Sequence, residues 1–214
     1  MMNGRPLLSW TIETAIGSAA FDAVVVSTDD DEIAQVAADS GGQVSFRRPD
    51  HLSDDHASTT AVLAHAVAEL LDQGVLAGDD DLVCCLYPAA IGLRGEDLRR
   101  GRALLESSDV PYVTTVLRYS HPIQRAMEIE ASGRIRMLDA QAGDRRTQDL
   151  PPRWHDAGQC YWGRRWAWAR ALPIFPNSLA LELPASEVLD IDTEDDWVRA
   201  ERLHALSRAS RPHS

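Results

Sequence analysis

A chain of 214 residues with 44% hydrophobic and 25% charged content has the makeup of one globular domain. Its net charge of −12 opposes general nucleic-acid binding, which rests on neutralising phosphates with a basic surface. A helical membrane span needs about eighteen or more consecutive apolar residues, and the sequence has no such run. The N-terminus carries no apolar stretch of the secretory kind. Three cysteines, Cys84, Cys85 and Cys160, two of them adjacent, read as reduced thiols and point to the cytoplasm. All 21 basic residues are arginines, so any phosphate or carboxylate ligand falls to arginine forks, backbone amides or metal.

In chain order, the spacing predicts a helix over 6–16, a buried strand at Val24-Val25-Val26, and a helix over 30–39 stopped by Gly41-Gly42. A short strand follows at 43–46, a helix at 57–71, a buried strand at 82–86, a helix at 95–106 and a strand at 113–117. Short apolar runs alternating with helices predict an α/β domain with a largely parallel sheet. Residues 126–137 then read as a hairpin turning at Ala131-Ser132-Gly133-Arg134. Further elements are a strand at 159–162, a helix at 164–171, a strand at 188–191 and a closing helix at 193–206 with Thr193 as N-cap. Residues 207–214 read as a frayed tail. The domain is expected over 1–206, with an arm inserted at about 126–150.

Three segments carry chemistry. Ser27-Thr28-Asp29 closes a strand at the sheet's carboxyl edge, where α/β folds place ligands, although helix capping explains the same residues. Arg48, in the turn-rich loop that follows, suits a phosphate or a base carbonyl, or simply a solvated face. Arg146-Thr147-Gln148-Asp149 and Trp154-His155-Asp156-Ala157-Gly158-Gln159-Cys160-Tyr161-Trp162 bring together an arginine, amides, a histidine and flat rings. Those groups suit a polyhydroxylated sugar acid; for Tyr161 and Trp162 a core role is equally open. Asp190 and Asp192 alternate on an expected strand and so share a face, an arrangement that favours a cation such as Mg²⁺ between them. Capping of the closing helix is the competing role for one of them.

These segments, in this order from Gly4-Arg5-Pro6-Leu7 to Trp197, resemble the acylneuraminate cytidylyltransferase family. His121-Pro122-Ile123-Gln124-Arg125-Ala126 and His155-Asp156-Ala157-Gly158-Gln159 with Tyr161-Trp162-Gly163 resemble its pseudaminic acid branch. The resemblance implies a Rossmann-like nucleotidyltransferase three-layer sandwich, a homodimer exchanging its arms, and Mg²⁺ as cofactor. It also implies CMP transfer from CTP to a nonulosonic acid, with release of pyrophosphate. By the same resemblance Asp190 and Asp192 are the catalytic metal-binding acids. The resemblance also puts Arg48 on the nucleotide and Arg146, Gln148 and Gln124 on the sugar; from their own segments Ser27 and Asp29 are nucleotide candidates, and His155, Gln159 and Tyr161 are sugar candidates.

The sequence departs from the family at two places. Its first matched residue falls just after the strand and glycine-rich, lysine-bearing loop that wrap the triphosphate. Ala89-Ala90-Ile91 stands where the family has Thr and Pro. The expectation is a gap in the sheet and slow turnover by residues 1–214 alone. A non-catalytic homologue that binds nucleotide or sugar, and the same chemistry on sialic or legionaminic acid, are the alternatives.

Overall fold

The computed structural model describes residues 1–54, 56–189, 191 and 193–209, with side chains as far as 206. Short polar side chains start several helices. Asp30 Oδ1 accepts from Ile33 N at 2.9 Å to open α2 (Asp31–Asp39), and Ser58 Oγ accepts from Ala61 N at 3.2 Å to open α3 (Thr59–Asp72). The closing helix, Glu194–Ala209, is capped reciprocally by Thr193 and Asp196, as the sequence predicts for Thr193. The other helices are Leu7–Gly17 (α1), Gly95–Glu106 (α4) and Arg165–Ala169 (α5), which makes the closing helix α6.

The main sheet contains Leu82–Leu86 (β1), Tyr112–Arg118 (β2), Trp154–Arg164 (β5) and Ser178–Glu182 (β6) in the order β1-β5-β2-β6. Only β2 and β6 pair in parallel; β5 runs antiparallel to both β1 and β2. The largely parallel sheet expected from the sequence is therefore mixed, because the strand foreseen at 159–162 is an eleven-residue strand that inserts between two others. Met127–Ile129 (β3) and Ile135–Met137 (β4) form a separate hairpin, as expected.

Alternation along the strands separates two cores. Val113, Cys160 and Trp162 face α4, while Tyr112 and Tyr161 pack with Val67 of α3 and Trp168 of α5. With α1 beside α4 and α3 beside α5, the domain has three layers. Glycine allows the closest approaches: a Cβ at Gly101 would stand 2.6 Å from the Trp162 ring, which also stacks on Phe21 at 5.0 Å.

Two expected strands are not formed. Residues 24–27 and 43–46 meet only through isolated parallel bridges, Val25 with Gln43 and Thr28 with Arg47. Residues 24–27 and β1 are half-buried rather than buried, because both line an open cleft of about 830 Å³. The described residues of 188–191 also form no strand. Their apolar character reflects packing: Val188 joins the α4 core, and Leu189 and Ile191 pack with Trp10 and Trp197. The strand lies earlier, at β6, where only Leu181 is buried and the apolar signal is weak.

Candidate functional site

The carboxyl end of the 24–28 segment meets the following loop through a charged pair. Arg48 Nη2 donates to Asp29 Oδ1 at 3.1 Å, and Arg48 Nε donates to Ser53 Oγ at 3.2 Å. The Arg48 guanidinium holds the Asp29 carboxyl below its ordinary range. Ser27 and Arg48 line the open cleft together with Thr59 and Tyr87, and the Ser27 hydroxyl is buried without a partner among the described residues. The three residues expected on the nucleotide thus lie at one sheet edge.

A hydrogen-bonded chain runs inward from there. Thr59 Oγ1 and Tyr87 OH are 2.7 Å apart, the Tyr87 ring meets Tyr161 edge-on at 5.7 Å, and Tyr161 OH donates to Asp156. Burial, reinforced by Asp156, pushes the Tyr161 phenol far up, and burial raises Tyr87 as well, so both stay neutral donors. Burial also raises the Cys84 thiol well above its usual value and takes Cys85 to about 12, which leaves these thiols unreactive.

A β-bulge builds the Asp156 contact. The β2–β5 register passes from Thr114 opposite Tyr161 to Val116 opposite Asp156, so the segment between these β5 residues bulges opposite Thr115. Gly158, at φ +60°, supplies the left-handed residue of the bulge, and its N–H donates to Asp156 Oδ1 at 3.2 Å. Gln159 is wholly buried there, with its Nε2 donating to Ala157 O at 3.0 Å and its Oε1 without a partner among the described residues.

The remaining residues expected on the sugar lie on the arm side. Gln124 Nε2 donates to Pro151 O at 2.9 Å, and Arg125 ties the same turn to Thr147 and Gly143. His155 Nδ1 is 2.8 Å from Asp156 O, with its ring 4.8 Å from Tyr119. Arg146 and Gln148 are exposed. Gln159 and Tyr161 are buried in the sheet, whereas Gln124 and His155 are half-buried.

Asp190 and Asp192 lie outside the described residues. Their flank is anchored: Gln159 Nε2 reaches Leu189 O at 3.5 Å, and Ile191 packs beside Leu189 and Trp197. Among the described residues no group of three His, Cys, Asp or Glu side chains gathers as a metal cluster. The buried Gln159 Oε1, without a partner among the described residues, is an oxygen donor of the kind that suits a hard cation such as Mg²⁺. Sequence reasoning missed Thr59, Tyr87 and Thr115 as parts of this site. Tyr87, directly after a buried strand, offered a signal; the other two resembled ordinary helix-start and strand threonines.

The cytidylyltransferase family profile matches residues 1–153. A pseudaminic acid cytidylyltransferase of Campylobacter jejuni is 37% identical over 97% of this chain and 88% of its own length. An N-acylneuraminate cytidylyltransferase B of Danio rerio is 26% identical over 93% of this chain and 45% of its own. Among solved structures, a CMP:2-keto-3-deoxy-manno-octonic acid synthetase complexed with CTP aligns at TM-score 0.64. That alignment has 15% identity and covers 97% of this chain and 90% of that one. A 4-diphosphocytidyl-2C-methyl-D-erythritol synthase aligns at TM-score 0.65 with 16% identity, covering 95% and 93%. The fold is thus that of the nucleotidyltransferases, and the chain belongs to the cytidylyltransferase family.

Proposed function

We propose that this chain transfers CMP from CTP to pseudaminic acid, giving CMP–pseudaminic acid and pyrophosphate. The observation that carries the reading is the 37% identity to the Campylobacter jejuni pseudaminic acid cytidylyltransferase along 97% of the chain. The anomeric hydroxyl of the sugar attacks the α-phosphorus, and pyrophosphate leaves. Such a reaction asks the protein for alignment and neutralisation of charge rather than covalent work. Arg48, held by Asp29, presents a fixed cation beside Ser27 for the nucleotide. Gln124, Arg146, Gln148 and His155 offer amides and a guanidinium for the hydroxyls and carboxylate of the sugar. Gln159 and Tyr161 support them from beneath by setting the bulge.

Asp190 and Asp192 would hold Mg²⁺, which when bound offsets charge on the phosphates. The arm completes the reading. Met127, Ile129, Ile135 and Met137 share one face of the hairpin, and Ile129 and Ile135 are 79% and 67% exposed. An apolar face on a two-stranded ribbon calls for a covering partner, and a second copy of this chain exchanging arms supplies one. The setting is the cytoplasm, where CTP is available; no described helix is long and apolar enough to cross a membrane.

The test is pyrophosphate release from CTP and pseudaminic acid, with and without Mg²⁺. The reading predicts release that stops on chelation and falls at least about tenfold, roughly 1.4 kcal/mol, in Asp190→Ala and Asp192→Ala. Retention of the rate in either variant would refute the metal assignment.

A further inference from the structure

Three consecutive residues at the foot of the arm each hold a different point of the chain that returns from it. Gln124 Nε2 donates to Pro151 O at 2.9 Å, and Ala126 O accepts from Leu138 N at 3.0 Å. Between them Arg125, half-buried, spreads its guanidinium over two acceptors. Nη1 donates to Thr147 Oγ1 at 2.9 Å, and Nη2 donates to Gly143 O at 3.3 Å.

The segment that Arg125 holds has little else to fix it. Every residue from Asp144 to Asp149 is exposed; the buried anchors are Ala142 before it and Leu150 after it. Its own bonds are local. Asp149 N donates to Arg146 O at 3.0 Å, Leu150 N donates to Thr147 O at 3.3 Å, and Arg145 Nη2 donates to Asp149 O at 2.9 Å. These close the three-residue turn Thr147–Asp149, and a helical turn this short is not stable by itself. Among the described residues, Arg125 is the one side chain from outside 143–149 that hydrogen-bonds to it. The Thr147 hydroxyl that it grips stands between Arg146 and Gln148 in the chain.

Resting on the CMP-transfer reading, which puts Arg146 and Gln148 on the sugar, we propose that Arg125 is a positioning residue for the sugar acid. Through the Thr147 hydroxyl it fixes the turn that presents Arg146 and Gln148, and it does not touch the sugar itself. Its bonds go to a hydroxyl and a carbonyl rather than to a carboxylate, so its work is geometric. A guanidinium fork reaches two acceptors four residues apart at once, which the single ammonium of a lysine does not. Holding the turn beforehand removes an ordering cost that sugar binding would otherwise carry, so affinity for the sugar depends on the clamp. Arg48, on the nucleotide side, bonds to Asp29 and Ser53 and not to this turn, so affinity for CTP does not.

The test is titration calorimetry of the whole chain with pseudaminic acid and, separately, with CTP. Arg125→Ala and Thr147→Val each weaken pseudaminic acid at least about tenfold, with CTP affinity and melting temperature close to the parent's. Thr147→Ser, which keeps the hydroxyl, retains the parent affinity. Arg125→Lys, which keeps the charge and loses the fork, does not. Arg125→Ala combined with Thr147→Val is no weaker than Arg125→Ala alone, because Thr147 acts only through that contact. Equal weakening of sugar and CTP, multiplied losses in the double variant, parent affinity in Thr147→Val, or full rescue by Arg125→Lys would each overturn the proposal. Arg146→Ala tells the two readings apart. If it weakens pseudaminic acid while Arg125→Ala does not, the positioning role falls and the sugar site stands. If Arg146→Ala binds pseudaminic acid as the parent does, the placing of Arg146 on the sugar falls, and the role of Arg125 with it.

Discussion

Thr115 Oγ1 occupies the mouth of the β5 bulge, donating to Cys160 O at 2.9 Å and accepting from Cys160 N at 3.1 Å. One hydroxyl thereby replaces the ladder bonds that the bulge interrupts and fixes the turn that carries Asp156 and Gln159. Thr115→Val keeps the shape and leaves a buried N–H and C=O unpaired. It is expected to cost about 1–3 kcal/mol in chemical denaturation and to lower kcat more than KM changes.

Gly92 gives a second handle on the acids. A Cβ there would clash with the carbonyl of Glu187 and stand 2.9 Å from Val188 Cα, two residues before Asp190. Gly92→Ala is expected to lose about 1–3 kcal/mol of stability and, because it shifts the acid-bearing segment, at least about tenfold in turnover. Thermal unfolding paired with a pyrophosphate assay separates the two losses.

The Arg48–Asp29 pair makes a pH prediction. Asp29 is held below its ordinary value by Arg48 in the fold, so its contribution is present above the unfolded carboxylate value of about 3.9. It is lost as pH falls through the lower folded value. The melting temperatures of the parent chain and Asp29→Asn should therefore differ near pH 7 and converge below about pH 4. A gap that widens on acidification would contradict the pairing.

The hairpin makes an assembly prediction. Ile129→Arg puts a charge on the exposed apolar face of β3 without touching the main core. Sedimentation at micromolar concentration should show the parent chain as a dimer and Ile129→Arg as a monomer, both folded by circular dichroism. A monomeric parent would remove the arm-exchange proposal.

Much of the fold was legible because local signals and tertiary outcome agree. The cap at Thr193 and the apolar runs at β1 and β2 are statements the chain makes about itself. What escaped were the features that depend on partners. Residues 24–27 have the composition of a strand but are paired on one side only. The run at 188–191 is apolar because it packs, not because it pairs. β5 is antiparallel and bulged, which no periodicity at 159–162 encodes. In the site, Arg48 and Asp29 were legible as a loop arginine and a strand-end acid. Thr59 and Thr115 were not, because their roles rest on residues 28 and 45 positions away.

The most direct measurement of the central claim is the product formed from CTP with pseudaminic acid or N-acetylneuraminic acid. It is read by mass spectrometry beside pyrophosphate release. The account predicts Mg²⁺-dependent CMP–pseudaminic acid, formed at least about tenfold more efficiently than CMP–N-acetylneuraminic acid, a difference of roughly 1.4 kcal/mol. No CMP-sugar at all, or equal efficiency on the two acids, would contradict it.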